Sequence, residues 1–140
     1  MPDRLWVAAI TAATLFIASQ AFSSDIHSMV DRYADKHGVP RNIAHAVIRM
    51  ESNYQTGLRG KDGEYGIGQI MCPTARGEGL TGDCSLLLNP ETNLNFSMSY
   101  LAKALQGPGD LCARVSRYNF GIHRGPVCTQ YGRRVEAMAK

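Results

Sequence analysis

The sequence feature that most restricts the fold is the spacing of its apolar residues, which repeats with the period of an α-helix. One Gly-rich stretch interrupts this pattern. Ile26, Met29 and Val30 begin one such repeat, and Gly38 stands where a left-handed residue would end the helix. This pattern predicts a first helix over about residues 25–37. Runs of strand-forming residues are nearly absent, so the spacing favours an all-α domain.

The rest of the chain divides into further helices and one irregular segment. A second helix is predicted from Pro40 to about residue 53, because proline is tolerated in the first helical turn. Residues 57–68 alternate glycines with charged side chains, which predicts a loop or a short hairpin. Asn89 and Asp110 are predicted to cap two later helices. The four later helices are expected at about residues 73–76, 90–105, 111–120 and 131–138.

The N-terminus has the pattern of an export signal. An apolar run from Leu5 to Ala18 precedes small residues that end at Ala21. The run is shorter than the roughly 20 residues that span a bilayer, so a membrane anchor or a buried helix is the weaker interpretation. We therefore expect a signal peptide over residues 1–21 and a mature domain over 22–140, located in the periplasm or secreted, without membrane attachment.

Charge and cysteine content narrow the class of protein further. The formal net charge is +3, without a dense Lys/Arg cluster, which argues against a nucleic-acid-binding surface. Four cysteines in an exported chain predict two disulfides. Of the three possible pairings, Cys72–Cys84 and Cys112–Cys128 are favoured because each closes a short loop rich in Gly or Pro. A zinc site would need closer paired spacing than these cysteines have.

Glu51 falls on the apolar side of the second predicted helix. At 100° per residue its side chain projects beside those of Val47 and Ile48. A carboxyl group held against apolar neighbours resists ionisation, and its pKa can rise to about 6 to 7, which suits a general acid. The alternative is that Glu51, at the end of its helix, turns towards solvent.

Three ordered motifs around and after Glu51 resemble those of the family 1 lytic transglycosylases. The first motif combines Glu51-Ser52-Asn53-Tyr54 with Gly66-Ile67-Gly68-Gln69-Ile70-Met71. The second and third are Asn89-Pro90-Glu91-Thr92-Asn93-Leu94 with Tyr100-Leu101, and Tyr118-Asn119-Phe120-Gly121. The sequence departs from the family pattern at Glu64, where a small residue is usual.

The resemblance implies the α+β lysozyme-like fold of goose-type lysozyme: a single small helical domain in which the Gly-rich segment forms one wall of a cleft. It implies that Glu51 is the acid–base residue and that Ser52 helps to hold the substrate. Gln69 would line the cleft, Tyr118 would lie close to the carboxyl group, and Asn119 would support the site by hydrogen bonding. Without the resemblance, Tyr118 could be a core aromatic and Asn119 a helix C-cap.

The implied activity is cleavage of the β-1,4 bond between N-acetylmuramic acid and N-acetylglucosamine in peptidoglycan glycan strands, with formation of a 1,6-anhydro-muramic end. No cofactor or metal is expected, and the protein is expected to act as a monomer. A partner in a secretion system or in envelope assembly stays open. Two alternatives also stay open: a hydrolytic muramidase that uses Asp62 or Glu64 as a second carboxylate, and a non-catalytic peptidoglycan-binding module.

Overall fold

The structure is a computed structural model that describes residues 25–140, so the predicted signal peptide lies outside the described residues. Within that range no helix has the length and apolar character needed to cross a bilayer. The described part of the chain is mostly helical and contains no strand. The helices are α1 (25–37), α2 (Arg41–Ser52), α3 (Cys72–Gly77), α4 (Pro90–Leu105), α5 (Leu111–Phe120) and α6 (Gln130–Met138), with a 3-10 helix at Cys84–Leu88.

The helix ends follow the local signals in the sequence. Gly38 has a φ of 68°, which confirms its left-handed conformation after α1. The Asn89 side chain accepts a hydrogen bond from the Thr92 N–H at the start of α4, and Asp110 caps α5 in the same way. The 3-10 helix was not predicted; the Asp83 side chain initiates it by accepting a hydrogen bond from the Ser85 N–H.

Two apolar clusters hold the helices together. The larger cluster draws on α1, α2, α4, α5 and α6, and Val47, Leu94 and Val115 are fully buried within it. The smaller cluster, which includes Ile70 and Leu87, packs the Gly-rich segment and the 3-10 helix against α3. The apolar stripe predicted for α2 therefore faces the main core, and the end of α2 meets the Gly-rich segment.

The segment from residue 53 to residue 71, called the loop below, runs through turns with two isolated antiparallel bridges. These bridges pair Arg59 with Tyr65 and Tyr65 with Ile70. Asn93 of α4 fixes the loop from inside: its Oδ1 accepts a hydrogen bond from the Gly68 N–H at 2.9 Å, and its Nδ2 donates to the Tyr65 carbonyl at 2.6 Å. The predicted loop or short hairpin is thus a turn-rich segment anchored on a helix.

Both favoured disulfides are present. Cys72–Cys84 joins α3 to the 3-10 helix, with the two Cα atoms 5.8 Å apart. Cys112–Cys128 joins α5 to the segment before α6, with a Cα separation of 5.1 Å. The first bridge therefore holds α3, which follows the loop, to the 3-10 helix. The second holds α5 to the segment that leads into α6.

Candidate active site

A groove of about 310 Å³ opens between the end of α2, the loop and the C-terminal end of α5. The floor and walls come from five separate parts of the chain, which the two apolar clusters bring together. The lining residues are Glu51, Glu64, Gln69, Ile70, Met71, Thr74, Tyr100, Tyr118, Asn119, Phe120 and Gly121.

Glu51 lies in the last turn of α2, partly buried at the bottom of this groove. Burial raises the pKa of its carboxyl group from the ordinary value of 4.5 to about 7. A hydrogen bond from Tyr131 acts in the opposite direction and lowers the pKa, while the nearby charge of Glu64 raises it. Because burial is the largest of the three effects, a large share of Glu51 keeps its proton near neutral pH.

Tyr131 contacts Glu51, and the sequence did not predict this contact. Its hydroxyl donates to Glu51 Oε1 at 2.6 Å, across 80 positions of sequence. Burial raises the pKa of Tyr131 well above its ordinary value, so the hydroxyl stays protonated and remains a donor. The available signal was a tyrosine in the first turn of the last helix, since a buried tyrosine hydroxyl needs a polar partner.

Glu64 places a second carboxyl group in the groove. Glu64 belongs to the loop and Glu51 to α2, so the two carboxyl groups reach the groove from different parts of the chain. Glu64 Oε2 accepts a hydrogen bond from the Asp62 N–H at 3.1 Å. Asp62 itself is exposed and does not line the groove. Of the two acids considered for a hydrolytic role, the structure brings only Glu64 to the site.

Gln69 and Tyr118 both line the groove, and both also hold the loop. The Gln69 side-chain amide donates to the Gly66 carbonyl at 2.8 Å, and its backbone has a φ of 47°. The Tyr118 hydroxyl donates to the Gly68 carbonyl at 2.6 Å. Burial, followed by the neighbouring charge of Glu51, raises the pKa of Tyr118, so this hydroxyl also remains a donor.

Ser52 and Asn119 differ from their expected roles. Ser52 is only 4% exposed and does not line the groove; its hydroxyl donates to the Ile67 carbonyl at 2.6 Å. Its contact in this structure is with the loop backbone, where a substrate contact had been expected. Asn119 lines the groove with an exposed side chain, and that side chain has no hydrogen-bond partner within residues 25–140.

The family assignment follows from the chain as a whole. Residues 28–133 match the Transglycosylase SLT domain, which is well over half of the sequence. This chain belongs to that family. The match extends from α1 to α6, so the SLT domain includes Glu51, the loop and Tyr131.

Two solved structures resemble this SLT domain. An inactive Glu-to-Gln mutant of lytic transglycosylase Slt from Pseudomonas aeruginosa matches with a TM-score of 0.67 and 21% identity, over 80% of this chain and 23% of that chain. The 70 kDa soluble lytic transglycosylase of Escherichia coli matches with a TM-score of 0.62 and 28% identity, over 80% of this chain and 18% of that chain. This chain thus spans about a fifth of the length of these proteins, and the likeness establishes the shared lysozyme-like fold.

The polar side chains that line the groove of this SLT domain are of three kinds: the carboxyl groups of Glu51 and Glu64, the amides of Gln69 and Asn119, and the hydroxyl groups of Thr74, Tyr100 and Tyr118. Across the described residues, no three His, Cys, Asp or Glu side chains are grouped so that they could hold a metal ion. The groove thus combines the Glu51 carboxyl group, which has a raised pKa, with the amides of Gln69 and Asn119 as hydrogen-bonding groups.

Proposed function

We propose that this chain is a peptidoglycan lytic transglycosylase in which Glu51 acts as both acid and base. One observation carries the proposal: Glu51 has a partly buried carboxyl group with a pKa of about 7, and it lines an open groove. A general acid works best when its pKa lies near the working pH. Family membership supports the same reaction class.

The first step is cleavage of the glycosidic bond. Protonated Glu51 donates its proton to the oxygen that bridges N-acetylmuramic acid and N-acetylglucosamine, and the bond from that oxygen to the muramic C1 breaks. The N-acetyl group of the muramic residue carries part of the positive charge that develops at C1. The N-acetylglucosamine leaves with a hydroxyl group.

The second step returns the proton. The ionised Glu51 takes a proton from the muramic C6 hydroxyl, whose oxygen then bonds to C1 and closes the 1,6-anhydro ring. Glu51 ends in its starting protonation state, and no water is consumed. This scheme uses no metal or organic cofactor, and it needs only one carboxyl group, whereas hydrolytic glycosidases generally use two.

The neighbouring residues are assigned by their contacts. Tyr131 orients the Glu51 carboxyl group through its hydrogen bond, so we treat it as a positioning residue. Ser52 and Tyr118 hold the loop through the Ile67 and Gly68 carbonyls. Asn119 and the Gln69 backbone region line the groove, where sugar hydroxyl and acetamido groups need polar partners.

The proposed setting is the bacterial envelope. A signal peptide over residues 1–21 would deliver the domain of residues 22–140 to the periplasm or the exterior, where peptidoglycan lies. The two similar structures are of lytic transglycosylases, one of them named as soluble.

Hydrolysis is the second candidate, because Glu64 lines the same groove as Glu51. Two carboxyl groups flanking a glycosidic bond are the usual arrangement in hydrolytic enzymes. In that case Glu64 would activate a water molecule or attack C1. The products differ: hydrolysis gives a reducing muramic end, and transglycosylation gives an anhydro end that is one water lighter.

The test is mass spectrometry of the muropeptides that the mature protein releases from purified sacculi. We expect anhydro ends from the wild type and from Glu64→Gln, and no release by Glu51→Gln. The matched control is Glu91→Gln, an exposed glutamate at the start of α4 in an exposed ion pair with Arg32. Reducing ends that disappear in Glu64→Gln would establish hydrolysis instead. If neither the wild type nor Glu51→Gln released muropeptides, and both bound the sacculi equally well, the chain would be a non-catalytic binding module.

A further inference from the structure

A second cavity of about 480 Å³ continues from the groove. Thr74 and Tyr100 line both spaces, and Gly121 in the groove is followed directly by Ile122 in the second cavity. The Ile122 N–H donates to the Tyr100 hydroxyl at 3.2 Å, so the border between the two spaces is itself ordered. A ligand that fills the groove can therefore extend into the second cavity.

The two spaces differ in charge. Among the described residues, the lining of the groove includes Glu51 and Glu64 and no lysine or arginine. The lining of the second cavity in this part of the chain includes Lys103 and His123, with Glu78 as its one acid. An anionic part of a substrate is repelled by the charge of Glu64 in the groove and is better accommodated beside Lys103 in the second cavity.

Lys103 is held in place at the second cavity. The Glu78 side chain is only 5% exposed and accepts two hydrogen bonds, from Lys103 Nζ at 2.8 Å and from Ser99 Oγ at 2.6 Å. The Lys103 side chain is 49% exposed. An ammonium group has three N–H donors, so two remain for a ligand after the bond to Glu78. The carboxylate thus fixes an ammonium group whose free side faces outward.

We infer that the second cavity is a subsite for a carboxylate of the peptidoglycan stem peptide, and that Lys103 binds this carboxylate. The inference rests on the proposed function, because it takes peptidoglycan as the substrate. Stem peptides supply carboxylates beyond the sugar backbone, and a charge-assisted hydrogen bond to an ammonium group recognises them. The groove then holds the sugars at Glu51, and the second cavity holds the peptide carboxylate at Lys103.

Binding is the first arm of the test, measured by co-sedimentation with insoluble sacculi in the Glu51→Gln background, so that no substrate is consumed. Lys103→Gln keeps a donor for Glu78 but removes the charge. We expect it to weaken binding to intact sacculi about tenfold, equivalent to about 1.4 kcal/mol. Lys103→Gln should bind as well as the parent protein to sacculi with amidated peptide carboxylates. The same should hold for soluble glycan strands stripped of stem peptides, where binding is followed by fluorescence titration because these strands do not sediment. Lys103→Arg should restore most of the binding.

The matched control is Lys36→Gln, because Lys36 is a lysine of α1 that bonds to Asn95 on another face of the domain. It should bind all three preparations like the parent protein. An equal loss on intact sacculi and on stripped strands would overturn the inference, since Lys103 would then serve the glycan or the fold. No loss on either would also overturn it.

The second arm separates this inference from the proposed function. With Glu51 intact, kcat/KM for anhydro-product release is compared on intact and stripped strands, and Lys103→Gln should lower it about tenfold on intact strands alone. If the wild type released no anhydro product from either substrate, the proposed reaction would fail while the binding arm still decided the role of Lys103. If the wild type acted equally well on both substrates, the subsite would be rejected and the reaction retained.

Discussion

The burial of Glu51 should make the folded domain less stable as pH rises, and Glu51→Gln should remove that dependence. The unfolded chain releases this proton near the ordinary pKa of 4.5, whereas the folded chain keeps it up to about pH 7. Between these values the folded state binds more protons than the unfolded state. The free energy of unfolding therefore falls as pH rises from 4.5 to 7 and stays low above 7.

The size of the effect follows from the two pKa values. A shift from 4.5 to about 7 corresponds to about 3 kcal/mol between the two protonation states. Glutamine has the shape of the neutral acid, and its side-chain oxygen can still accept the hydrogen bond from Tyr131. At pH 8 Glu51→Gln should thus be more stable than the wild type by about 3 kcal/mol, or roughly 10 °C in Tm for a domain of this size. At pH 4 the difference should be close to zero.

Thermal and urea unfolding followed by circular dichroism at pH 4, 5, 6, 7 and 8, with both disulfides intact, measures this difference. Glu91→Gln is the control, because its ion pair with Arg32 is 3.6 Å long and both side chains are more than half exposed. Such pairs contribute little, so the control should follow the wild type. A Glu51→Gln advantage that is the same at pH 4 and pH 8, or that grows towards pH 4, would refute the reasoning.

The remaining predictions concern the activity profile and the loop. The kcat/KM of the wild type should fall above about pH 7, because Glu51 must begin protonated. Tyr131→Phe removes the hydrogen bond that lowers the Glu51 pKa, so this alkaline limb should move to higher pH by about one unit. Glu64→Gln removes the charge that raises the Glu51 pKa, so the limb should move to lower pH. Gly68→Ala should lower the free energy of unfolding by about 1 to 3 kcal/mol in urea titrations, because the added Cβ collides with Ser97.

Two of these changes have a matched control in the chain. Tyr33→Phe, on α1 beside Lys36, should leave the alkaline limb where it is. Gly57→Ala should leave stability nearly unchanged, because a Cβ at residue 57 meets no atom within 4 Å. If Tyr131→Phe and Glu64→Gln shifted the alkaline limb of the kcat/KM profile in the same direction, the assigned causes of the Glu51 pKa would be contradicted.

The sequence predicted the helices because their signals are local. The caps at Asn89 and Asp110 act on amides within three positions, and the apolar spacing of α2 is sufficient to place Glu51 beside its apolar neighbours. The disulfide pairing was also predictable, since each bridge closes a short segment. The 3-10 helix at Cys84–Leu88 was missed because five residues carry too little periodicity to be distinguished from a turn.

The details of the site depend on contacts that sequence spacing does not encode. Tyr131 reaches Glu51 only after α6 packs against α2, 80 positions away in the chain. The direction of the Ser52 hydroxyl is determined by the loop backbone, which approaches α2 only in the folded domain. Whether Glu64 or Asp62 enters the groove depends on the turns of the loop, whose left-handed positions include Gly63 and Gly66.

Asn93 holds the base of the loop in place. Its amide satisfies four hydrogen bonds, to the backbone of residues 65, 68 and 87 and to the Ser97 hydroxyl, which is all that an asparagine side chain can form. The path of the loop base is therefore determined from within α4. Substitutions at positions such as Glu64 should alter the groove while the loop base keeps its course, which makes the loop tip a starting point for engineering the groove.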